Sequence, residues 1–145
     1  MTAMAKTRKQ SLLHLFNDVA RIAKTFGMRL SFDEQDRAVL TLPYNPALDH
    51  ALDGIHGGII ATMLDNAGWF TSALVHDGDG WMATTEMSFH LLRPAAKTEL
   101  TARGEILKRG KRQDVVQMSC RDAQGNLVAH GTGTFVLLDK ISIEN

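Results

Sequence analysis

An α+β fold, with a curved antiparallel sheet wrapped around one long central helix and an additional N-terminal helix, is what this sequence predicts. Three observations carry that prediction. From Ile55 to Val75 every residue is apolar, small or neutral polar except His56 and Asp65, and a helix apolar nearly all round must be covered on several sides. Downstream of it the chain reads as four long β segments separated by turns bearing Gly or Pro. Upstream, apolar residues recur at helical spacing. A sheet curled around the helix buries one face and leaves edge strands, so pairing of subunits is expected.

In chain order, Leu12, Leu13, Leu15, Phe16, Val19, Ile22, Ala23 and Phe26 alternate with Lys, Arg, Asn and Asp at helical spacing, and Gly27 closes the element. The spacing predicts one amphipathic helix of about four or five turns, which makes residues 1–27 a helical segment ahead of a single domain over 28–145. Met28 to Phe32 and Ala38 to Leu42 predict short strands around the polar turn Asp33 to Arg37. Pro43 to Gly54 is a loop rich in Pro, Asn, Asp and Gly. The apolar helix runs from about Ile55 to Val75 and stops at His76-Asp77-Gly78-Asp79-Gly80. Trp81 to Leu92, Glu99 to Lys108, Gln113 to Arg121 and Asn126 to Leu138 are then expected to be consecutive antiparallel partners.

The bulk properties exclude several classes. A chain of 145 residues with 16 basic and 16 acidic side chains has no global attraction to nucleic acid or to an anionic membrane. One cysteine, Cys120, rules out an internal disulfide, fits a reducing compartment and is expected in the core. No run is long enough to span a bilayer, because Asp65 and Asn66 interrupt the longest. Met1 to Gln10 has no apolar signal core; Lys6 to Lys24 has the basic amphipathic look of a mitochondrial presequence but contains Asp18, and a cytoplasmic protein is expected. The six histidines show no paired metal spacing, and no Gly-x-Ser-x-Gly elbow is present.

The chemistry concentrates in Gly54-Ile55-His56-Gly57-Gly58 and the acid that follows. A Gly-Gly pair opening an apolar helix presents bare backbone N–H groups where developing negative charge can be held. Asp65 is a lone acid in an apolar segment, and ionised acids are rarely buried without a partner. An oxyanion donor and an isolated acid are two parts of an acyl-transfer site. Plainer readings stand beside these. Asp65 can simply reach solvent along a polar stripe with Thr62, Trp69 and Ser72, the glycines can serve close packing, and His56 can be a structural histidine bonded to backbone.

His56-Gly57-Gly58, Asp65 nine residues after the His, Thr84-Thr85-Glu86-Met87-Ser88-Phe89 and Leu92-Arg93-Pro94-Ala95 together resemble the hotdog-fold acyl-CoA thioesterases, in particular the phenylacetic-acid-pathway and 4-hydroxybenzoyl-CoA thioesterase-like branch. The resemblance covers about Met28 to Leu138. It implies a hotdog fold, with the N–H of Gly57 polarising a thioester carbonyl, Asp65 acting as nucleophile or general base, and His56 orienting the loop. It places Thr84 where relatives carry a hydroxyl that holds the acid or the water. Gly57 and Asp65 lie eight residues apart, roughly 12 Å along one helix, too far to act on one carbonyl carbon. An antiparallel two-fold partner would bring Gly57 of one subunit against Asp65 of the other, as in the composite dimer sites of that family.

Two positions depart from the family pattern. Relatives have Asn or Gln six residues before the His, where this chain has His50; a neutral imidazole can hold water, but a protonated one cannot accept a hydrogen bond. Where some relatives carry a hydroxyl four residues after the acid, this chain has Trp69, which can shape an acyl pocket with Phe70 and Phe89. Lys108, Arg109, Lys111 and Arg112 around Gly110, with Arg93, form either a phosphate clamp for coenzyme A or a solvated hairpin tip, and the resemblance favours the clamp, with Gly58 also on the substrate side. The expectation is thus an acyl-CoA thioesterase working without metal or redox cofactor, as a dimer or dimer of dimers. A hotdog dehydratase or hydratase using His50 and Asp65, and a non-catalytic acyl-thioester binder, are the alternatives.

Overall fold

The computed structural model describes residues 4–144. Helix α1 (Arg8–His14) is opened by a reciprocal capping box between Thr7 and Gln10. A π-helical turn follows at Leu15–Val19, then α2 (Arg21–Phe26), which ends on Gly27 at φ 76°. The single N-terminal helix expected from periodicity is therefore broken, with Ala20 extended at φ −64° and ψ 117°. Its apolar face still reaches the core, for Leu12, Phe16 and Ala23 are buried with the rest.

Strands β1 (Arg29–Phe32) and β2 (Ala38–Leu42) flank a turn organised by Asp33, whose Oδ1 accepts from the N–H groups of Gln35 and Arg37. A short 3₁₀ turn at Pro46–Leu48 interrupts the following loop. The central helix α3 (Gly57–Leu74) is one turn shorter than expected because His56 is its cap. Strands β3 (Gly80–Leu91), β4 (Leu100–Lys108), β5 (Gln113–Asp122) and β6 (Leu127–Ser142) complete one antiparallel sheet in the order β1-β2-β4-β5-β6-β3.

That order corrects the expected run of consecutive partners. β4, β5 and β6 do pair in sequence, but β3 pairs with β6, and β4 takes β2 as its other neighbour. Residues 92–99 make the crossover, longer than the roughly two to five residues of a hairpin. They are held in place as they cross: the N–H groups of Leu92 and Arg93 both donate to the Val128 carbonyl, and Ile55 N–H donates to the carbonyl of buried Ala95. Consequently β3, the strand after the central helix, becomes a twelve-residue free edge.

The concave face of the sheet takes α3. Leu100, Ala102, Val116, Met118, Cys120 and Phe135 point inward against Met63, Leu64, Ala67 and Phe70. Close approach is set by two glycines: a Cβ on Gly104 would strike Thr71 and the Ala67 carbonyl, and one on Gly68 would strike the ring of Phe135. At the C-terminal end of α3 a buried polar knot ties helix to hairpin. Asp114 Oδ2 receives Ser72 Oγ at 2.5 Å and His76 Nε2 at 2.6 Å, and Asp114 Oδ1 accepts from Gly110 N–H. Among the described residues no helix is long and apolar enough to cross a membrane.

Candidate active site

The sequence around His56 builds a helix start with one amide left over. His56 is extended (ψ 133°), its Nδ1 accepts the N–H of Gly58 at 2.9 Å, and its carbonyl accepts from Ile59 and Ile60. A helix opens with four unsatisfied N–H groups; here the Gly57 N–H has no partner among the described residues. Because Nδ1 accepts, the neutral His56 ring carries its proton on Nε2. Gly58, grouped with the substrate contacts from sequence, has its N–H engaged by His56. A Cβ at position 57 would stand 2.7 Å from Leu91 Cδ1, the free end of a half-exposed side chain that can give way.

Two turns further along α3, Asp65 is half-buried, and its Oδ1 accepts from Thr84 Oγ1 at 2.7 Å. The strand has a register shift between Thr84 and Glu86, a bulge of the kind that re-aims a side chain beside a site. The solvated-stripe reading of this face does not hold beyond Asp65, because Trp69 is 9% and Ser72 0% exposed. Trp69 Nε1 donates to the Met82 carbonyl at 2.9 Å, which fixes the indole beside the acid.

Two cavities result. One of about 470 Å³ is lined by Asp65, Thr84, Trp69, Phe70, Trp81 and the N-terminal residues Val19 and Ile22. The other, about 320 Å³, holds Gly57 with His50, Leu91, Arg93 and Pro94. Gly57 and Asp65 thus sit on one helix but open into different cavities. Between them the stripe Gly58, Ala61, Thr62 and Asp65 is left partly uncovered by the protein's own sheet. Phe89 lines neither cavity.

His50 lines the same cavity as Gly57, but not as the water acceptor considered from sequence. Its Nδ1 accepts the N–H of Leu52 at 3.1 Å, so in the neutral ring the proton is on Nε2 and His50 offers a donor. The basic residues also separate. Arg93 N–H is bonded to Val128, whereas Lys108 pairs with Val115, itself opposite Thr134. Along β6 these ends are about 20 Å apart, so Arg93 and the exposed hairpin of Lys108, Arg109, Lys111 and Arg112 do not form one clamp within a protomer. Arg112 instead lies 3.5 Å from Asp139. No cluster of three or more metal-ligating side chains occurs among the described residues.

Sequence reasoning missed Val19, Ile22 and Trp81 at the Asp65 cavity. Val19 and Ile22 carried the same helical periodicity as their buried neighbours, and no signal distinguished them.

A curled antiparallel sheet wraps one helix, with a bare glycine amide at the helix start and a threonine-held acid two turns on. The sequence pattern of the Thioesterase superfamily matches residues 53–129, just over half the chain, and the protein belongs to that superfamily. Among relatives, a protein of Saccharolobus solfataricus named as an esterase is 28% identical over 129 residues, covering 89% of this chain and 91% of its own. Among solved structures, a Bacillus halodurans protein crystallised with CoA is 26% identical with a TM-score of 0.78, covering 95% of this chain and 98% of that one. The PaaI protein from the phenylacetic acid degradation operon of E. coli shares the fold at a TM-score of 0.77 and 20% identity, over 90% of this chain and 94% of that one.

Proposed function

We propose that this thioesterase-superfamily protein hydrolyses an acyl-CoA thioester to free acid and CoA, at a site shared between two subunits. The observation that carries the reading is the pairing, on one uncovered stripe of α3, of the unpartnered Gly57 N–H with the Asp65 carboxylate held by Thr84. Neither half can act alone across roughly 12 Å. An antiparallel copy of α3 laid on that stripe, with the free β3 edges meeting, brings the partner's Asp65 opposite Gly57.

In this arrangement the thioester oxygen lies at the Gly57 amide, aided by the positive end of the helix. His50, which lines the same cavity, offers its Nε2–H as a second donor toward the developing oxyanion; a donor suits an anion better than it suits a nucleophilic water. The partner's Asp65 attacks the carbonyl carbon or takes a proton from water that does. The tetrahedral intermediate then collapses with cleavage of the C–S bond, and the thiolate leaves as CoA and is protonated; where Asp65 itself attacks, the acyl group is left on it as a mixed anhydride, which water hydrolyses to the free acid and the regenerated carboxylate. His56 positions the loop by holding Gly58, and Thr84 fixes the carboxylate.

The same two-fold resolves the divided basic groups. With the partner's Asp65 opposite Gly57, the partner's helix end lies nine residues, about 14 Å, beyond Gly57, on the side where Arg93 stands. The partner's basic hairpin and Arg93 therefore converge where the phosphates of CoA would lie at the end of its pantetheine arm. The dehydration alternative is disfavoured by His50, which has no free basic nitrogen when Nδ1 is engaged by Leu52.

The test is release of free thiol from straight-chain and aromatic acyl-CoA by wild type and Asp65→Asn. Turnover in wild type that drops by about 10²-fold or more in the folded variant is expected. No thiol from any substrate with wild type would overturn the reading.

A further inference from the structure

The Asp65 cavity is walled on one side by a segment that the hydrolytic steps do not use. At Leu15–Val19 the N-terminal helix passes through a π-turn and leaves helical geometry at Ala20, whose N–H donates to the Leu15 carbonyl at 2.8 Å. Such turns recur at functional sites. This one is pinned: Asn17 Nδ2 donates to the Leu30 carbonyl and Leu30 N–H donates to Asn17 Oδ1, both at 2.9 Å, in the manner of a strand neighbour. The break leaves Val19 54% and Ile22 42% exposed, two apolar side chains bordering the cavity that contains the candidate acid.

The rest of the cavity wall is aromatic. Trp69 stacks edge-on with Trp81 (centroids 5.0 Å, 64°) and with Phe70 (4.6 Å, 61°), and Phe70 continues to Phe16. Its polar groups are mostly committed: Thr84 donates to Asp65, Asn66 Nδ2 to the Thr62 carbonyl and Trp69 Nε1 to the Met82 carbonyl. Trp81, at 36% exposure, belongs to the rim. Beyond the Asp65–Thr84 pair, the cavity therefore presents mainly carbon.

We infer that the broken segment from Leu15 to Ile22 is the specificity wall for the acyl group, with Val19 and Ile22 setting how long an apolar chain the cavity admits. The inference rests on the hydrolase reading for the identity of the occupant. The carbonyl end stands at Asp65 and Thr84, and the acyl tail lies between Val19, Ile22 and the Trp69 ring. A volume of about 470 Å³ suits an apolar acyl group of medium length, and a tail ending in a hydroxyl or a charge would be desolvated there without a partner.

The test uses Val19→Phe, which narrows the cavity, and Ile22→Ala, which widens it, each checked for folding by circular dichroism. Tryptophan fluorescence is titrated with butyl-CoA and decyl-CoA thioethers, which cannot be hydrolysed, and thiol release is followed from butanoyl-CoA and decanoyl-CoA. Val19→Phe should weaken decyl-CoA relative to butyl-CoA by about tenfold, and Ile22→Ala should move the ratio the other way. Ratios unchanged in both variants, or no thioether binding to wild type, overturn the wall. Length-selective binding without thiol release keeps the wall and overturns hydrolysis; thiol release with unchanged ratios does the reverse.

Discussion

Asp65 depends on one hydroxyl for its orientation, the 2.7 Å bond from Thr84 Oγ1. A hydrogen bond to a charged group contributes about 1.5–3 kcal/mol, so Thr84→Val should lower kcat by about one to two orders of magnitude. Thr84→Ser should restore most of it, a rescue that steady-state kinetics on both variants would show. A second carboxylate reports on stability. Burial pushes the Asp33 carboxyl up, but the N–H groups of Arg37 and Gln35 and the Arg37 guanidinium outweigh it and hold it below its ordinary value; Arg103 Nη1 also lies 3.1 Å away. A carboxyl lowered in the folded state stabilises fully above its unfolded value of about 3.9, and that contribution is lost as pH falls through the lowered value. The stability gap between wild type and Asp33→Asn in urea titrations should therefore be widest near neutrality and close in acid. The acid, the glycine amide and the His cap were legible because a single helix start fixes their spacing. The tautomer of His50 was not, because it depends on where the Leu52 N–H points.

Between α3 and the β4–β5 hairpin the decisive contact is the Ser72–His76–Asp114 knot, with Asp114 0% and His76 6% exposed. Removing one partner of such a set strands the others without compensation. Asp114→Ala should cost about 3–5 kcal/mol in chemical denaturation, and it should loosen the basic hairpin, whose Gly110 N–H is held by the same carboxylate. Nothing in the sequence pointed to this knot, since an acid at the start of a strand and a histidine after a helix are ordinary surface residues until the fold joins them. Strand positions were legible from alternation, and their boundaries agree with the observed ones to within a few residues. The place of β3 was not, because alternation specifies which face is buried and leaves the neighbour open. The crossover at 92–99 decides it through backbone bonds to Val128 and through buried Ala95.

At the scale of the whole molecule, a composite site makes a quantitative forecast. Asp65→Asn and Gly57→Val are each expected to be inactive, the second because a branched side chain beside the Gly57 amide would crowd the thioester carbonyl. Refolded together in equal amounts, half of the dimers would be mixed, each with one intact site of two, so about a quarter of wild-type thiol release should return. A site contained within one protomer would regain nothing on mixing. The broken N-terminal helix bears on how such an enzyme can change over generations. Leu12 and Phe16 anchor the segment at 0% and 1% exposure, while Val19 and Ile22, three and six residues beyond Phe16, are about half exposed. Substitutions at exposed positions usually alter stability by less than about 0.5 kcal/mol, whereas those at the anchors would open the core. Drift in substrate preference can accordingly proceed at Val19 and Ile22 at little risk to folding. A library randomised at those two positions should hold many folded members with altered selectivity, and one randomised at Leu12 and Phe16 mostly insoluble protein.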